Sequence, residues 1–184
     1  SRDDAPNHEL AYLFTGGAEG LDRFYREYAP QVMSWVIRLG DPNLNPEDIA
    51  NDVFTQALED LDTFTGKQSA RAWLYRLTHS SLKRNKRNKQ LAKLAFWRPK
   101  ATAAKQIARN QREQTTFRQR RAVQKLLQAL SPASREALVL TDLDGLSVSE
   151  VSELTGRTVS QVNKLVHQAR RDFAEKLKTD KQLQ

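Results

Sequence analysis

Residues 145–173 read GLSVSEVSELTGRTVSQVNKLVHQARRDF, and the order of signals in this stretch decides the fold. Ser147-Val148-Ser149-Glu150 is a capping box, in which a hydroxyl and a carboxylate three positions apart satisfy orphan backbone N–H groups reciprocally and start a helix. Val148, Val151 and Leu154 form the inner face of that short helix. Thr155-Gly156-Arg157 supplies a tight turn, where glycine permits a positive φ. Thr158 caps a second helix whose inner stripe is Val159, Val162, Val166, Ala169 and Phe173, at helical spacing. The stretch therefore reads as a helix-turn-helix. The outward face near the start of its second helix presents Ser160, Gln161, Asn163, Lys164, His167 and Gln168, short or amide-bearing groups suited to base edges and phosphates. Arg170 and Arg171 follow. A helical hairpin with a polar solvent face is the plainer reading of the same residues. The cap, the glycine turn and the amide-rich face together favour DNA reading.

Working outward, helical periodicity resumes near Gln119, with Val123, Leu126, Leu127 and Leu130 leading to Ser131-Pro132. A further helix is expected over Ser134–Leu143, burying Ala137, Leu138, Val139 and Leu140, before the turn at Asp144-Gly145. Residues 93–118 are rich in Ala, Gln, Lys and Arg, include Phe96-Trp97-Arg98-Pro99 and lack a sustained apolar face. Upstream, a helix is expected from about Glu19 to Tyr28, with Leu21, Phe24, Tyr25 and Tyr28 on its apolar face. A second follows Pro30, from Gln31 to Leu39, with Val32, Trp35, Val36 and Leu39 inward, and stops at Gly40-Asp41-Pro42. Asn45-Pro46-Glu47-Asp48 is a well-formed helix start: an Asn cap, Pro at the first position and acids in the first turn. That helix continues to about Leu61, with Ile49, Val53, Phe54, Ala57, Leu58 and Leu61 as its stripe. After a loop over Asp62–Ser69, a fourth helix runs from Ala70 to about Lys89 with Trp73, Leu74, Leu77 and Ser81 inward. Strand-like alternation is missing. The expected fold is all-α. A flexible N-terminal end (1–17) precedes a four-helix domain (18–92), a basic linker (93–118) and a C-terminal helix-turn-helix domain (119–184).

The 184 residues carry a net charge of +8, unevenly spread. Residues 1–66 hold 4 basic and 13 acidic side chains, residues 67–125 hold 18 basic and one acidic (Glu113), and residues 126–184 hold 8 of each. No carboxylate occurs from Thr63 to Arg112, a span with 14 Lys and Arg. An acidic head beside a basic middle suits two differently charged partners, and the acid-free span suits a phosphate-facing surface. For the part after Leu94, a disordered basic linker is the equal alternative. The absence of Cys removes disulfide scaffolds, thiolate metal sites and cysteine nucleophiles. No apolar run approaches the roughly 18 residues of a membrane span, so no membrane insertion is expected.

On the acidic helix, Asp48 and Asp52 stand four residues apart, where like charges repel, and Glu59 lies farther along nearly the same side. A solvated face and a docking surface for a basic protein both account for this. The fourth helix interleaves cations with aromatics: Arg71, Trp73, Tyr75, Arg76 and His79, then Lys83, Arg84, Lys86, Arg87 and Lys89. Such interleaving suits single-stranded or melting DNA. Trp73 reads as core, whereas Tyr75 lies off the inner stripe and is the better stacking candidate. The preceding loop, Thr63-Phe64-Thr65-Gly66-Lys67-Gln68-Ser69, has an aromatic, a glycine and small donors of the kind that hold an extruded base.

In this order the features resemble a sigma factor of the sigma-70 family, of the compact extracytoplasmic-function (ECF) kind. Residues 46–54 (PEDIANDVF) and 70–77 (ARAWLYRL) resemble the family's region two. Leu130-Ser131-Pro132 with Arg135, Gly145-Leu146-Ser147, Glu150-Val151 and Val162 through Arg170 resemble region four. The resemblance implies that Glu47, Asp48, Asn51, Asp52, Thr55 and Gln56 dock on the β′ clamp helices of core RNA polymerase. It implies that Phe64, Lys67, Gln68, Arg71, Tyr75, His79, Lys83 and Arg84 open and hold the −10 promoter element. Ser160, Gln161, Asn163, Lys164, His167 and Gln168 would then read the −35 element, with the second domain also touching the β flap. By the same analogy Arg135 and Glu150 hold the helix-turn-helix together as an ion pair. Promoter DNA, core polymerase and an anti-sigma factor are the implied partners, the bacterial cytoplasm the implied place, and no cofactor, metal or catalytic residue is implied.

Two other classes fit less of the chain. A conventional dimeric helix-turn-helix regulator needs a long apolar dimer stripe, which the sequence lacks. A metal-dependent nuclease built on Asp48, Asp52 and Glu59 lacks a phosphate-cradling glycine loop and a nucleophile–base pair, and His8, His79 and His167 are scattered.

Overall fold

Every regular element among the described residues is helical. The computed structural model describes residues 9–94 and 122–179, and the chain divides into two units, Ser1–Arg87 and Asn88–Gln184.

In the first unit, α1 (Tyr12–Thr15) leads into α2 (Gly17–Leu39), followed by α3 (Pro46–Glu59), a 3-10 turn (Leu61–Thr63) and α4 (Ala70–Leu94), whose last turns run past Arg87. The Asn45 side chain caps α3 by accepting from the Glu47 N–H at 3.2 Å, with Pro46 behind it, as the sequence predicts. The core is built from Phe24, Tyr28, Val32, Trp35 and Val36 of α2, Ile49, Val53, Phe54 and Ala57 of α3, and Trp73, Leu74 and Tyr75 of α4. Phe24 meets Phe54 edge-on at 5.5 Å, and Trp35 meets Tyr75 edge-on at 5.2 Å.

Three expectations change here. The two helices expected on either side of Pro30 are one helix with Pro30 inside it. Proline in a helix interior costs about 3 kcal/mol. Phe24, Tyr28, Val32 and Trp35 form one buried stripe across the site, and each such burial is worth about 1.5–3 kcal/mol, so packing outweighs the break. Of the apolar face expected there, Leu21 and Tyr25 are exposed, as is Leu58 on α3. Within the expected loose end, residues 9–15 are tied to the core: Leu10 is fully buried and a short helix forms at Tyr12. Residues 1–8 lie outside the described residues, as do those of the expected linker from 95 onward.

In the second unit, α5 (122–128) is followed by α6 (Pro132–Leu138), a π turn (Val139–Leu143), α7 (Val148–Thr155) and α8 (Val159–Thr179). Ser131 caps α6, accepting from the Ser134 N–H at 3.1 Å. The helix expected to run on to Leu143 widens instead after Leu138, where Asp144 N–H reaches back five residues to Val139 C=O at 3.0 Å. The core is Leu126, Leu127, Leu130, Ala137, Leu138, Val139, Leu140, Val151, Val162, Val166 and Ala169.

Candidate nucleic-acid interface

The acidic face of α3 is open. Glu47, Asp48, Asn51, Asp52 and Thr55 are all exposed, because Ile49, Ala50, Val53, Phe54 and Ala57 take the opposite side of the helix inward. Gln56 is half-buried and donates to Asp60 at 2.8 Å. Among the described residues, Glu47, Asp48 and Asp52 form no ion pair.

On α4 the buried residues are Ala70, Trp73, Leu74, Tyr75, Thr78 and Ser81. At 100° per residue they occupy roughly 200° of the helix, far more than a single stripe. Tyr75 forms one edge of this arc. It is 2% exposed and its ring is edge-on to Trp35, so it is a core residue and its expected role as a stacking platform is corrected. Phe64 is corrected likewise: it is buried and packs on Trp73 at 5.0 Å. The remaining −10 candidates separate. Arg71 is half-buried within the buried arc, between the directions of Thr78 and Tyr75, whereas His79, Lys83 and Arg84 are exposed. Arg76, His79, Lys83, Lys86 and Arg87 fall within roughly 100° of arc opposite the core. His79 lies over the buried ring of Tyr75, stacked at 6.2 Å and 23°. In the loop, Lys67 is exposed, and half-buried Gln68 has its Oε1 buried without a hydrogen-bond partner among the described residues.

The helix-turn-helix forms as its local signals require. Ser147 Oγ accepts from Glu150 N–H at 3.2 Å while Ser147 N–H donates to the Glu150 carboxylate at 2.7 Å. Gly156 sits at φ +69°, a left-handed position that disfavours other residues. Thr158 and Gln161 form a second such box: Thr158 N–H donates to Gln161 Oε1 at 2.9 Å and Gln161 N–H to Thr158 Oγ1 at 3.2 Å. Val162, Val166 and Ala169 are buried, Phe173 is half-buried, and Val159, expected inward, is 49% exposed because it precedes the first turn that packs.

All six expected reading residues of α8 are exposed on the side opposite that stripe. Their hydrogen bonds divide them. Gln161 is engaged in its cap, and Gln168 donates to Asp172 at 2.7 Å and accepts from Arg171 at 2.6 Å. Ser160, Asn163, Lys164 and His167 have no side-chain partner among the described residues.

Around this motif lie contacts that periodicity did not reveal. Buried Arg135 donates to the carbonyls of Leu127 (2.8 Å), Gln128 (3.1 Å) and Leu130 (3.3 Å) and to Gln128 Oε1 (2.6 Å), closing the C-terminal end of α5. Burial pulls its pKa below the usual arginine value. Arg157, in the turn, pairs with Glu136 of α6 at 2.6 Å. Arg170 grips Asp142 of the π turn with two hydrogen bonds of 2.8 Å, and these bonds hold the Asp142 carboxyl below the usual carboxylate range. In the first unit, Glu9 accepts from Tyr28 and from the start of α4.

Two family models match the chain: "Sigma-70 region 2" over residues 24–91 and "Sigma-70, region 4" over residues 120–173. The chain is 26% identical over 164 residues to RNA polymerase sigma factor YlaC of Bacillus subtilis (strain 168), covering 83% of this chain and 88% of the relative. It is 25% identical over 158 residues to ECF RNA polymerase sigma factor SigC of Mycobacterium tuberculosis (strain CDC 1551 / Oshkosh), covering 84% and 82%. The solved structure of CnrH in complex with the cytosolic domain of CnrY superposes with a TM-score of 0.70, covering 93% of this chain and 96% of that one. At 22% identity that likeness speaks for the fold.

Proposed function

We propose how the surfaces divide their work from the premise that this chain belongs to the sigma-70 family of RNA polymerase sigma factors, in its ECF branch. As such it serves core RNA polymerase in transcription initiation at promoter DNA. In our reading α3 docks through Glu47, Asp48, Asn51, Asp52 and Thr55 on the β′ clamp helices. The observation that carries this reading is that those acids are exposed and form no ion pair among the described residues. Gln56 borders the surface.

The −10 element is opened and held by the 63–69 loop with His79, Lys83 and Arg84, joined by Arg76. Exposed Lys67 supports a loop with a cation turned outward for the phosphates of the strand. Tyr75 and Phe64 serve from beneath, as the packing under this surface. The −35 element is read by Ser160, Asn163, Lys164 and His167, whose donors and acceptors are not spent among the described residues, while the same unit touches the β flap. An anti-sigma factor is the remaining partner. Exposed Leu21, Tyr25 (48%) and Leu58 give it apolar surface on the acidic unit. The chain works in the bacterial cytoplasm as an initiation factor without a chemical step of its own. Among the described residues, no helix is long and apolar enough to cross a membrane.

The test is a chain carrying Asp48→Ala and Asp52→Ala together, measured for affinity to core polymerase. Two exposed charges, each worth about 0.2–1 kcal/mol to a complementary surface, predict a loss of about 2- to 30-fold. Circular dichroism of the free chain should be unchanged. Undiminished affinity refutes the docking reading.

A further inference from the structure

The carboxylate of Glu9 joins three elements. Oε1 accepts from the Tyr28 hydroxyl of α2 at 2.8 Å, and Oε2 accepts from the Ala70 N–H at 2.7 Å. Ala70 is the first residue of α4, directly behind the 63–69 loop, and lies 61 positions along the chain from Glu9. The first turn of α4 contains no acid of its own. Ser69 Oγ caps that turn at Ala72 N–H (3.1 Å), which leaves the Ala70 N–H to an acceptor from elsewhere. A carboxylate is the favoured acceptor at that end of a helix, because the peptide dipoles leave partial positive charge there. Next to Glu9, Leu10 is fully buried, which anchors the segment that delivers the carboxylate. Burial and Glu9 push the Tyr28 pKa far up, so its hydroxyl stays a donor.

We propose that Glu9 is a positioning residue for the −10 element. It pins the point where the loop turns into α4, and with it the approach of Lys67 and Gln68 to the extruded strand. This rests on the −10 reading above. The mechanical link is short: Phe64 of the loop packs on Trp73, one turn into the helix whose first N–H Glu9 holds.

The test uses the full chain assembled with core polymerase. Three affinities are measured: for single-stranded DNA carrying the −10 region of a promoter the holoenzyme transcribes, for duplex DNA carrying its −35 region, and for core. Glu9→Ala should weaken the −10 strand about fivefold, the equivalent of a lost helix cap, and leave the other two affinities unchanged. Glu9→Gln keeps an acceptor for Ala70 and should restore binding to within about twofold of wild type. Tyr28→Phe removes only one arm and, should the alanine chain fold poorly, is expected to show the same selective loss at smaller size. Wild-type −10 affinity in the alanine chain overturns the inference. So does a parallel fall of all three affinities, which a merely structural role predicts. A wild-type holoenzyme indifferent to the −10 strand refutes the underlying reading and this inference with it, a result visible without any variant.

Discussion

Replacing Tyr75 by alanine should strongly destabilise the first unit, whereas replacing its neighbour His79 should leave the fold intact and weaken DNA binding. The two rings lie one helical turn apart and stack on each other, so they make a controlled pair. Tyr75 is 2% exposed and edge-on to Trp35. A buried aromatic removes about 150–250 Å² from water, which at about 25 cal/mol per Å² is about 4–6 kcal/mol as an upper bound. Truncating aromatics to alanine in cores costs about 3–5 kcal/mol. Against a total stability of about 5–15 kcal/mol, this is about a fifth or more of what holds the unit together. His79, exposed over that ring, should change stability by less than about 0.5 kcal/mol. Its loss should weaken single-stranded −10 binding by about 1–3 kcal/mol if its imidazole stacks on a base. Urea midpoints followed by tryptophan fluorescence, beside strand affinity of the assembled holoenzyme, separate the outcomes. A Tyr75→Ala chain with the wild-type midpoint and lost strand affinity would refute the reasoning, because the ring would then be working at the surface.

Gly156→Ala places a side chain at φ +69° in otherwise open space, so the expected loss of about 1–2 kcal/mol comes from backbone conformation and should appear as a lower thermal midpoint of the second unit. Arg135→Met leaves three carbonyls at the end of α5 without their charged donor and should destabilise the same unit by about 2–4 kcal/mol, read by chemical denaturation. The Asp142–Arg170 pair predicts a pH effect. The folded pKa of Asp142 lies below its unfolded value, so the pair's contribution is present above the ordinary carboxylate pKa and is lost as pH falls through the depressed one. Asp142→Asn should therefore flatten the acid side of the second unit's stability profile, and an unchanged profile would contradict the assignment.

What could be read from the chain was whatever depends on residues within four positions of one another. The Asn45 cap, the Ser147–Glu150 box and the left-handed Gly156 form as their neighbours dictate. What could not be read depends on where a distant segment arrives. Tyr75 lies off the ideal stripe of α4, and only the approach of Trp35 from α2 makes that flank interior. Phe64 resembles a loop aromatic available for stacking until Trp73 covers it. Pro30 signals a break that the stripe from Phe24 to Trp35 overrides. Glu9 lies 61 residues from the helix it caps, and no periodicity links the two. Gln161 carried a legible signal that went unused: Thr158 and Gln161 have the spacing of a capping box, which ties up an amide expected to read bases.

The acids of α3 differ from the paired acids of α2 and of the second unit in what they are given to bind. On α2, Asp22 faces Arg26 and Glu27 faces Arg23, each pair four residues apart on one helix. In the second unit, Glu136 is matched by Arg157 and Asp142 by Arg170, and both pairs tie the helix-turn-helix to the elements around it. α3 contains no basic residue, and its Glu47, Asp48 and Asp52 form no ion pair among the described residues. Intramolecular stability does not demand this difference, since an exposed ion pair is worth about 0–1 kcal/mol and an arginine at either end of α3 would supply one. Repulsion between Asp48 and Asp52 runs the other way by a few tenths of a kcal/mol. A helix that gives up that much in isolation suits a surface completed from outside the molecule, as the proposed docking requires. The cations of α4 continue the same logic with the opposite sign: Arg76, Lys83, Lys86 and Arg87 share the face turned away from the core. One small helical unit thus presents a negative surface suited to a protein and a positive one suited to DNA, built on opposite uses of charge.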